Sequence, residues 1–172
     1  SRVRMIANGT NAPLICDADT GFGGLLNVHH TVKGYEDAGC SAIQMEDQES
    51  PKKCGHTPDR RVVPIEDMVE KIQVAVEARS DPNFLIIART DSRTGLGLDE
   101  AIKRGHAFAD AGADVIFIES PESVEELEIV GRSFEKPTLA NMADGGKTPI
   151  LPADQLQDMG FSVAIFPGLG ML

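Results

Sequence analysis

The chain has 172 residues, 41% of them hydrophobic, and a formal charge of -11 at pH 7; that is enough chain to bury one core, and the composition is ordinary for a soluble domain. A field of that sign repels phosphates, which excludes nucleic acid and anionic membrane surfaces as partners, so a small anionic ligand has to meet local positive charge. No apolar run reaches about 18 residues, and the opening SRVRMIANGT lacks the apolar core of a signal peptide, which leads to the expectation of a cytoplasmic protein.

Taken in chain order, short apolar runs alternate with longer stretches whose apolar residues recur at helical spacing. Strands are expected at 13–17, 42–46, 84–89, 114–119, 137–141 and 162–166, and helices at 27–38, 64–79, 99–111, 121–133 and 152–159. None of the strands alternates cleanly with polar residues, as befits strands buried on both faces of a parallel sheet. Cys16 and Cys40 lie in or beside apolar runs and read as core residues; three cysteines without CxxC spacing make neither a disulfide framework nor a structural zinc site.

The helix at 64–79 is the clearest, with Pro64 expected at its first turn and Ile65, Met68, Val69, Ile72 and Val76 along one face. Ala38-Gly39, Ala111-Gly112 and Met159-Gly160 each precede an apolar strand at the same spacing, so one structural unit is reused and each glycine suits a left-handed helix end. Such a βα series fits an open doubly wound sheet or most of a (β/α)8 barrel. On the barrel reading, residues 1–172 form a single domain of about six strands, because a full barrel takes about 250 residues.

Asp17, Asp19, Glu46, Asp47, Arg89, Asp91, Glu119 and Asn141 all fall at or just past the C-terminal ends of predicted strands. In parallel α/β architectures that rim is where ligands bind. Asp17 and Asp19 stand two apart in DADTGFGG, and with Glu46 they form an all-oxygen set whose mutual repulsion calls for a hard cation, Mg²⁺ or else Mn²⁺. The long polar stretch 48–63 reads as a lid at the rim. It places Cys54 beside Lys52, Lys53 and His56, a positive setting that suits a thiol for acid/base or nucleophilic work. The segment 141–149 offers an amide, paired glycines, Lys147 and Thr148 to an anion. His29, His30 and His106 lie on predicted helices away from the rim and read as surface or packing residues.

Together DADTGFGG, MEDQ at 45–48, KKCGH at 52–56, ARTD at 88–91, FIES at 117–120 and NMADGGKTP at 141–149 resemble the isocitrate lyase and phosphoenolpyruvate mutase superfamily across almost the whole chain. The resemblance implies a (β/α)8 barrel, commonly a homotetramer, with Mg²⁺ at the oxo-carboxylate end of a small anionic substrate. The family's first units, with a Ser-Gly-Gly loop, and its C-terminal helices would lie outside these residues. By position, Asp17, Asp19 and Glu46 resemble metal ligands. Gly55, Arg89, Glu119, Asn141, Met142 and Ala143 resemble substrate contacts, while Lys52, Cys54 and His56 resemble the catalytic lid of the carbon–carbon lyases. Phosphonate mutases and some decarboxylases lack the KKCGH form. The implied activity is cleavage of 2-methylisocitrate or 2,3-dimethylmalate to a 2-oxo acid and a carboxylate, with Cys54 as proton donor. The alternatives are an oxaloacetate hydrolase or decarboxylase, a phosphonate mutase on the same scaffold, or an inactive ligand-binding barrel.

Overall fold

A computed structural model describes residues 2–55, 57 and 59–170. Its elements run α1 (Arg2–Gly9), β1 (Ile15–Asp17), α2 (Leu25–Asp37), β2 (Ala42–Glu46), α3 (Ile65–Ala78), β3 (Leu85–Thr90), α4 (Arg93–Leu96), α5 (Leu98–Asp110), β4 (Val115–Ile118), α6 (Val124–Arg132), β5 (Thr138–Asn141), α7 (Ala153–Asp158) and β6 (Val163–Ile165), closed by a 3-10 turn at Pro167–Gly170. Every expected strand and helix is present, with ends shifted by a few residues. Two helices were not expected. α1 buries no residue of its own, and α4 is a single turn.

The strands pair in parallel in the order β1-β2-β3-β4-β5-β6. A doubly wound sheet reverses its order at a switch point, and this one never does. Alternate residues sort to two faces. Ile43, Met45, Ile86, Ala88, Ile116, Ile118 and Ala140 pack in one cluster with helical residues such as Val28, Met68, Ile72, Phe108 and Leu127. Ala42, Ile87, Val115, Phe117 and Leu139 gather on the opposite face, and among the described residues the hydrophobics packed against them are Val163 and Ile165, all from strands. Helices on one side and strand side chains alone on the other is how part of a (β/α) barrel wall is built, and that is the architecture. Each fully buried Phe or Ile contributes about 1.5–3 kcal/mol by leaving water.

Local sequence sets the spacing of the units. Gly39, Gly112 and Gly160 take φ of +94°, +105° and +104°, so each helix reverses into its strand where a side chain would be strained. Helix α3 carries Glu66 and Asp67 in its first turn, where the helix dipole favours them, and buries Met68, Ile72, Ala75 and Ala78. Pro64 is its N-cap and not its first helical residue, since its ψ of 145° is extended. Cys16 and Cys40 are buried, with sulfurs 2.8 Å apart and both free; burial, with Cys16 as neighbour, pushes the Cys40 thiol up to about 12.

Candidate active site at the strand C-terminal rim

Three carboxylates meet where β1 and β2 end. Asp17 closes β1, and its Oδ1 accepts the Asp19 amide at 2.8 Å, turning Asp19 back toward the rim in a left-handed conformation with φ +49°. The Asp19 carbonyl in turn accepts the Glu46 amide at 2.8 Å, stitching the β1 loop to the end of β2. Lys71 of α3 donates to the Thr20 carbonyl at 2.9 Å and fixes the same loop from outside.

The Lys52 ammonium stands among these groups, 2.5 Å from Asp19, 3.7 Å from Asp17 and 3.6 Å from Glu46. Burial alone would lower its pKa, but the hydrogen bond to Asp19 and the charges of Glu46 and Asp17 raise it. Glu46 is 1% exposed. Burial lifts its pKa to about 7 against the pull of Arg89 and Lys52, with Asp91 and Asp17 adding to the rise. Its Oε2 has no hydrogen-bond partner, only the Arg89 Nε at 3.6 Å.

The donor set suits a hard cation. All the oxygens are carboxylate, one is buried and unpartnered, and a lysine already supplies positive charge between them. Among the described residues no three His, Cys, Asp or Glu side chains close into an inner cage. An ion that keeps several of its waters, as Mg²⁺ does, needs no such cage.

A second cluster lies at the ends of β3, β4 and β5. Arg89 gives Nε and Nη2 to the two oxygens of Asp91, both at 2.9 Å, reaches Glu119 Oε2 at 3.2 Å and lies over the Phe117 ring at 5.1 Å. Burial lowers the Arg89 pKa, but Asp91 and Glu119 outweigh it and raise the net value. Asn141 donates to Glu119 Oε2 at 3.2 Å, and its own buried Oδ1 has no hydrogen-bond partner. Arg89, Glu119 and Asn141 thus form a chain with an acceptor left over for a ligand. Met142 is buried with its sulfur accepting the Leu151 amide at 3.3 Å; its own amide donates to the Ile165 carbonyl at 2.8 Å, and the Ala143 carbonyl accepts the Gly146 amide at 3.1 Å. In the same loop the Thr148 hydroxyl is buried without a partner, and Lys147 pairs with Glu122 at 3.3 Å.

The lid lies across both clusters. Its base is zipped by a Gln48–Val62 bridge, by the Glu49 amide on the Arg61 carbonyl at 2.9 Å and by the Val63 amide on the Asp47 carbonyl at 2.8 Å. Cys54 is exposed. Gly55 is buried so tightly that an added Cβ would sit 2.3 Å from Arg89 Nη2 and 3.0 Å from Glu119 Cγ. The expected role of His56 falls outside the described residues.

Sequence reasoning saw Asp47 and Asp91 at the rim without giving them work, and it missed Arg60 and Arg104. Asp91 also takes Arg60 Nη1 at 2.6 Å, so one buried carboxylate ties Arg89 to the lid's far end. Asp47 accepts Thr90 Oγ1 at 2.6 Å, the Asp91 amide at 2.9 Å and Arg104 Nη1 at 3.0 Å. Burial raises its pKa against the hydrogen bonds from Thr90 and Asp91.

The profile of the phosphoenolpyruvate phosphomutase family matches residues 1–170. The chain belongs to this family. Among the curated proteins similar to this family member, 2,3-dimethylmalate lyase of Eubacterium barkeri is 50% identical over 167 residues, 97% of this chain and 58% of the relative. 2-Methylisocitrate lyase of Bacillus subtilis (strain 168) is 43% identical over 166 residues, 96% of this chain and 54% of the relative. A crystal structure of 2,3-dimethylmalate lyase, a PEP mutase/isocitrate lyase superfamily member, superposes with a TM-score of 0.94 at 38% identity, over 98% of this chain and 57% of the other. This phosphoenolpyruvate phosphomutase family chain therefore spans little more than half the length of the relatives it matches.

Proposed function

We propose that the protein carrying this chain is a Mg²⁺-dependent oxo-acid lyase that cleaves a carbon–carbon bond in 2,3-dimethylmalate or 2-methylisocitrate, releasing a 2-oxo acid such as pyruvate and a second carboxylate. The observation that carries the reading is the adjacency of the two clusters under one lid. Asp17, Asp19 and Glu46 surround the Lys52 ammonium, Arg89, Glu119 and Asn141 form the neighbouring cluster, and a cysteine-bearing loop crosses both. The 50% identity to a 2,3-dimethylmalate lyase supports the substrate class.

Asp17, Asp19 and Glu46 would hold Mg²⁺, which when bound polarises the oxygens of the 2-oxo acid end. Arg89 offers a fixed guanidinium to substrate carboxylate, its plane locked by Asp91. The unpartnered Asn141 Oδ1 accepts a hydrogen bond from a substrate hydroxyl. Cys54 rides on the lid segment next to buried Gly55, and protonates the carbanion of the leaving carboxylate fragment once water is shut out. The lyase works in the cytoplasm as a homo-oligomer.

The test is pyruvate release by the full-length protein from 2,3-dimethylmalate, 2-methylisocitrate and oxaloacetate, with Mg²⁺ and with EDTA. Metal-dependent pyruvate from either of the first two is expected. Silence on both, with oxaloacetate converted to oxalate and acetate, would overturn the lyase reading in favour of a hydrolase.

A further inference from the structure

Cys54 lies between two lid residues whose backbones are each gripped by a buried side chain, Gln48 at the base of the lid and Ser120 just past β4. On one side, Gln48 meets the Lys53 peptide edge to edge. Its Oε1 accepts the Lys53 amide at 3.0 Å and its Nε2 donates to the Lys53 carbonyl at 2.9 Å. The second Nε2 hydrogen goes to Glu46 Oε1 at 3.1 Å. This orientation is the only one that works, because a flipped amide would turn its oxygen against both the Lys53 carbonyl and the Glu46 carboxylate. On the other side, Ser120 Oγ donates to the Gly55 carbonyl at 3.0 Å, and it lies 3.2 Å from Glu119 Oε1, which also accepts the Ser120 amide at 2.9 Å.

We propose that Gln48 and Ser120 are positioning residues, a pair of latches that register the lid by its backbone on either side of Cys54 and tie that register to Glu46 and Glu119. The inference rests on the lyase reading for its catalytic consequence, and on the hydrogen bonds alone for the latching. Three observations carry it. Both side chains are almost wholly buried, at 2% and 1% exposure, so their polar atoms have no bulk water to fall back on. Gln48 joins lid backbone to Glu46 through its side-chain amide, and Ser120 gives its one hydroxyl hydrogen to the Gly55 carbonyl and its backbone amide to Glu119, so the lid cannot seat at Lys53 or Gly55 without touching the Glu46 or Glu119 neighbourhood. Ser120 is also held at φ +61°, a left-handed conformation that costs a non-glycine residue stability and that glycine would adopt freely. A strained serine at a strand end, where glycine would be easier, indicates that its hydroxyl is in use.

The latches explain a division of labour. Because they read peptide atoms and not side chains, Lys52 and Cys54 remain free to face the carboxylates and the substrate. Gly55 can approach Arg89 because Ser120 draws its carbonyl to the wall.

The experiment uses the full-length protein and the variants Gln48→Met, Ser120→Ala and Ser120→Gly. Lid seating is read as the rate of tryptic cleavage at Lys52 and Lys53 with MgCl₂ alone, a measurement that needs no turnover. The catalytic consequence is read as kcat and KM on whichever acid yields product, and fold integrity as Tm. Cleavage should quicken about fivefold or more and kcat should fall about tenfold, with KM changed less and Tm within a few degrees of the parent. Ser120→Gly is the decisive variant, since it should match or exceed the parent in Tm while still losing kcat and lid protection. Unchanged cleavage in all three variants would overturn the latches, and so would kcat losses that merely track Tm. Faster cleavage in a protein that turns over none of the candidate acids would leave the latches standing and overturn the lyase reading instead.

Discussion

Gly55→Ala tests the seating of the lid with a single methyl group. A Cβ at this position would lie 2.3 Å from Arg89 Nη2 and 3.0 to 3.1 Å from Glu119 Cγ and Cδ. A free arginine tip would swing away cheaply, but this one is held by two bonds to Asp91 and a 3.2 Å contact with Glu119. Either the guanidinium gives up the Glu119 contact or the lid lifts. Losing one hydrogen bond to a charged group costs about 1.5–3 kcal/mol, so kcat/KM should drop about 10- to 150-fold. Global stability should barely change, since a lid stands at the low end of a protein's range of local stabilities. Steady-state kinetics and a melting curve on the same preparation decide the matter. A variant within twofold of the parent in kcat/KM would show that Gly55 does not pack against Arg89 in the working enzyme.

Asp91→Asn leaves Arg60 and Arg89 sharing a neutral amide where a carboxylate with no exposed surface had served both. Breaking a buried pair costs about 3–5 kcal/mol, a fall of roughly 10 °C in Tm; a loss under 2 °C would contradict the shared anchoring. Gly131→Ala puts a Cβ 2.3 Å from the Met159 carbonyl oxygen, and backbone cannot step aside as a side chain can. Urea titration should show a loss of about 3 kcal/mol, the upper end for overpacking, and a loss below 1 kcal/mol would refute the contact. Burial holds Glu46 at about 7 in place of 4.5, so the fold favours its neutral form, and that share of stability is lost as pH rises through about 7. On the proposed metal reading a bound Mg²⁺ would displace this proton, so its affinity by calorimetry should weaken up to about tenfold per pH unit below 7. Equal affinities at pH 6 and pH 8 would remove Glu46 from the metal set.

The strands were legible because a wall buried on both faces is mostly apolar, Gln44 in β2 being an exception, and the charged residues gather at the strand ends, where the site is. The reversing glycines were legible for the same local reason, a backbone conformation that only glycine takes without strain. What stayed hidden depends on distance along the chain. Arg104 reaches Asp47 across 57 residues, and in sequence it is one more charge on an amphipathic helix. Arg60 reads as part of a basic loop, yet its side chain is 1% exposed. Helix α1 escaped notice because it is only eight residues long and buries none of them. The close approach of Gly55 to Arg89 could not be read either, since a glycine in a polar loop looks like flexibility until its neighbours are known.

The zipped base of the lid has a consequence for how such proteins change. The chain leaves the barrel wall after Gln48 and rejoins it at Val62, and those two residues are bridged to one another. Between them, Arg60 is tied into the wall by a buried ion pair with Asp91, while exposed residues such as Cys54 and Arg61 hang from that closed base and add little to the stability of the strands beneath. Substitutions at such exposed positions can therefore be sampled without unfolding the scaffold, provided Arg60 stays to hold Asp91, and the carboxylates and Arg89 below keep their places. A protein built this way can acquire a new chemistry by trading one short loop for another.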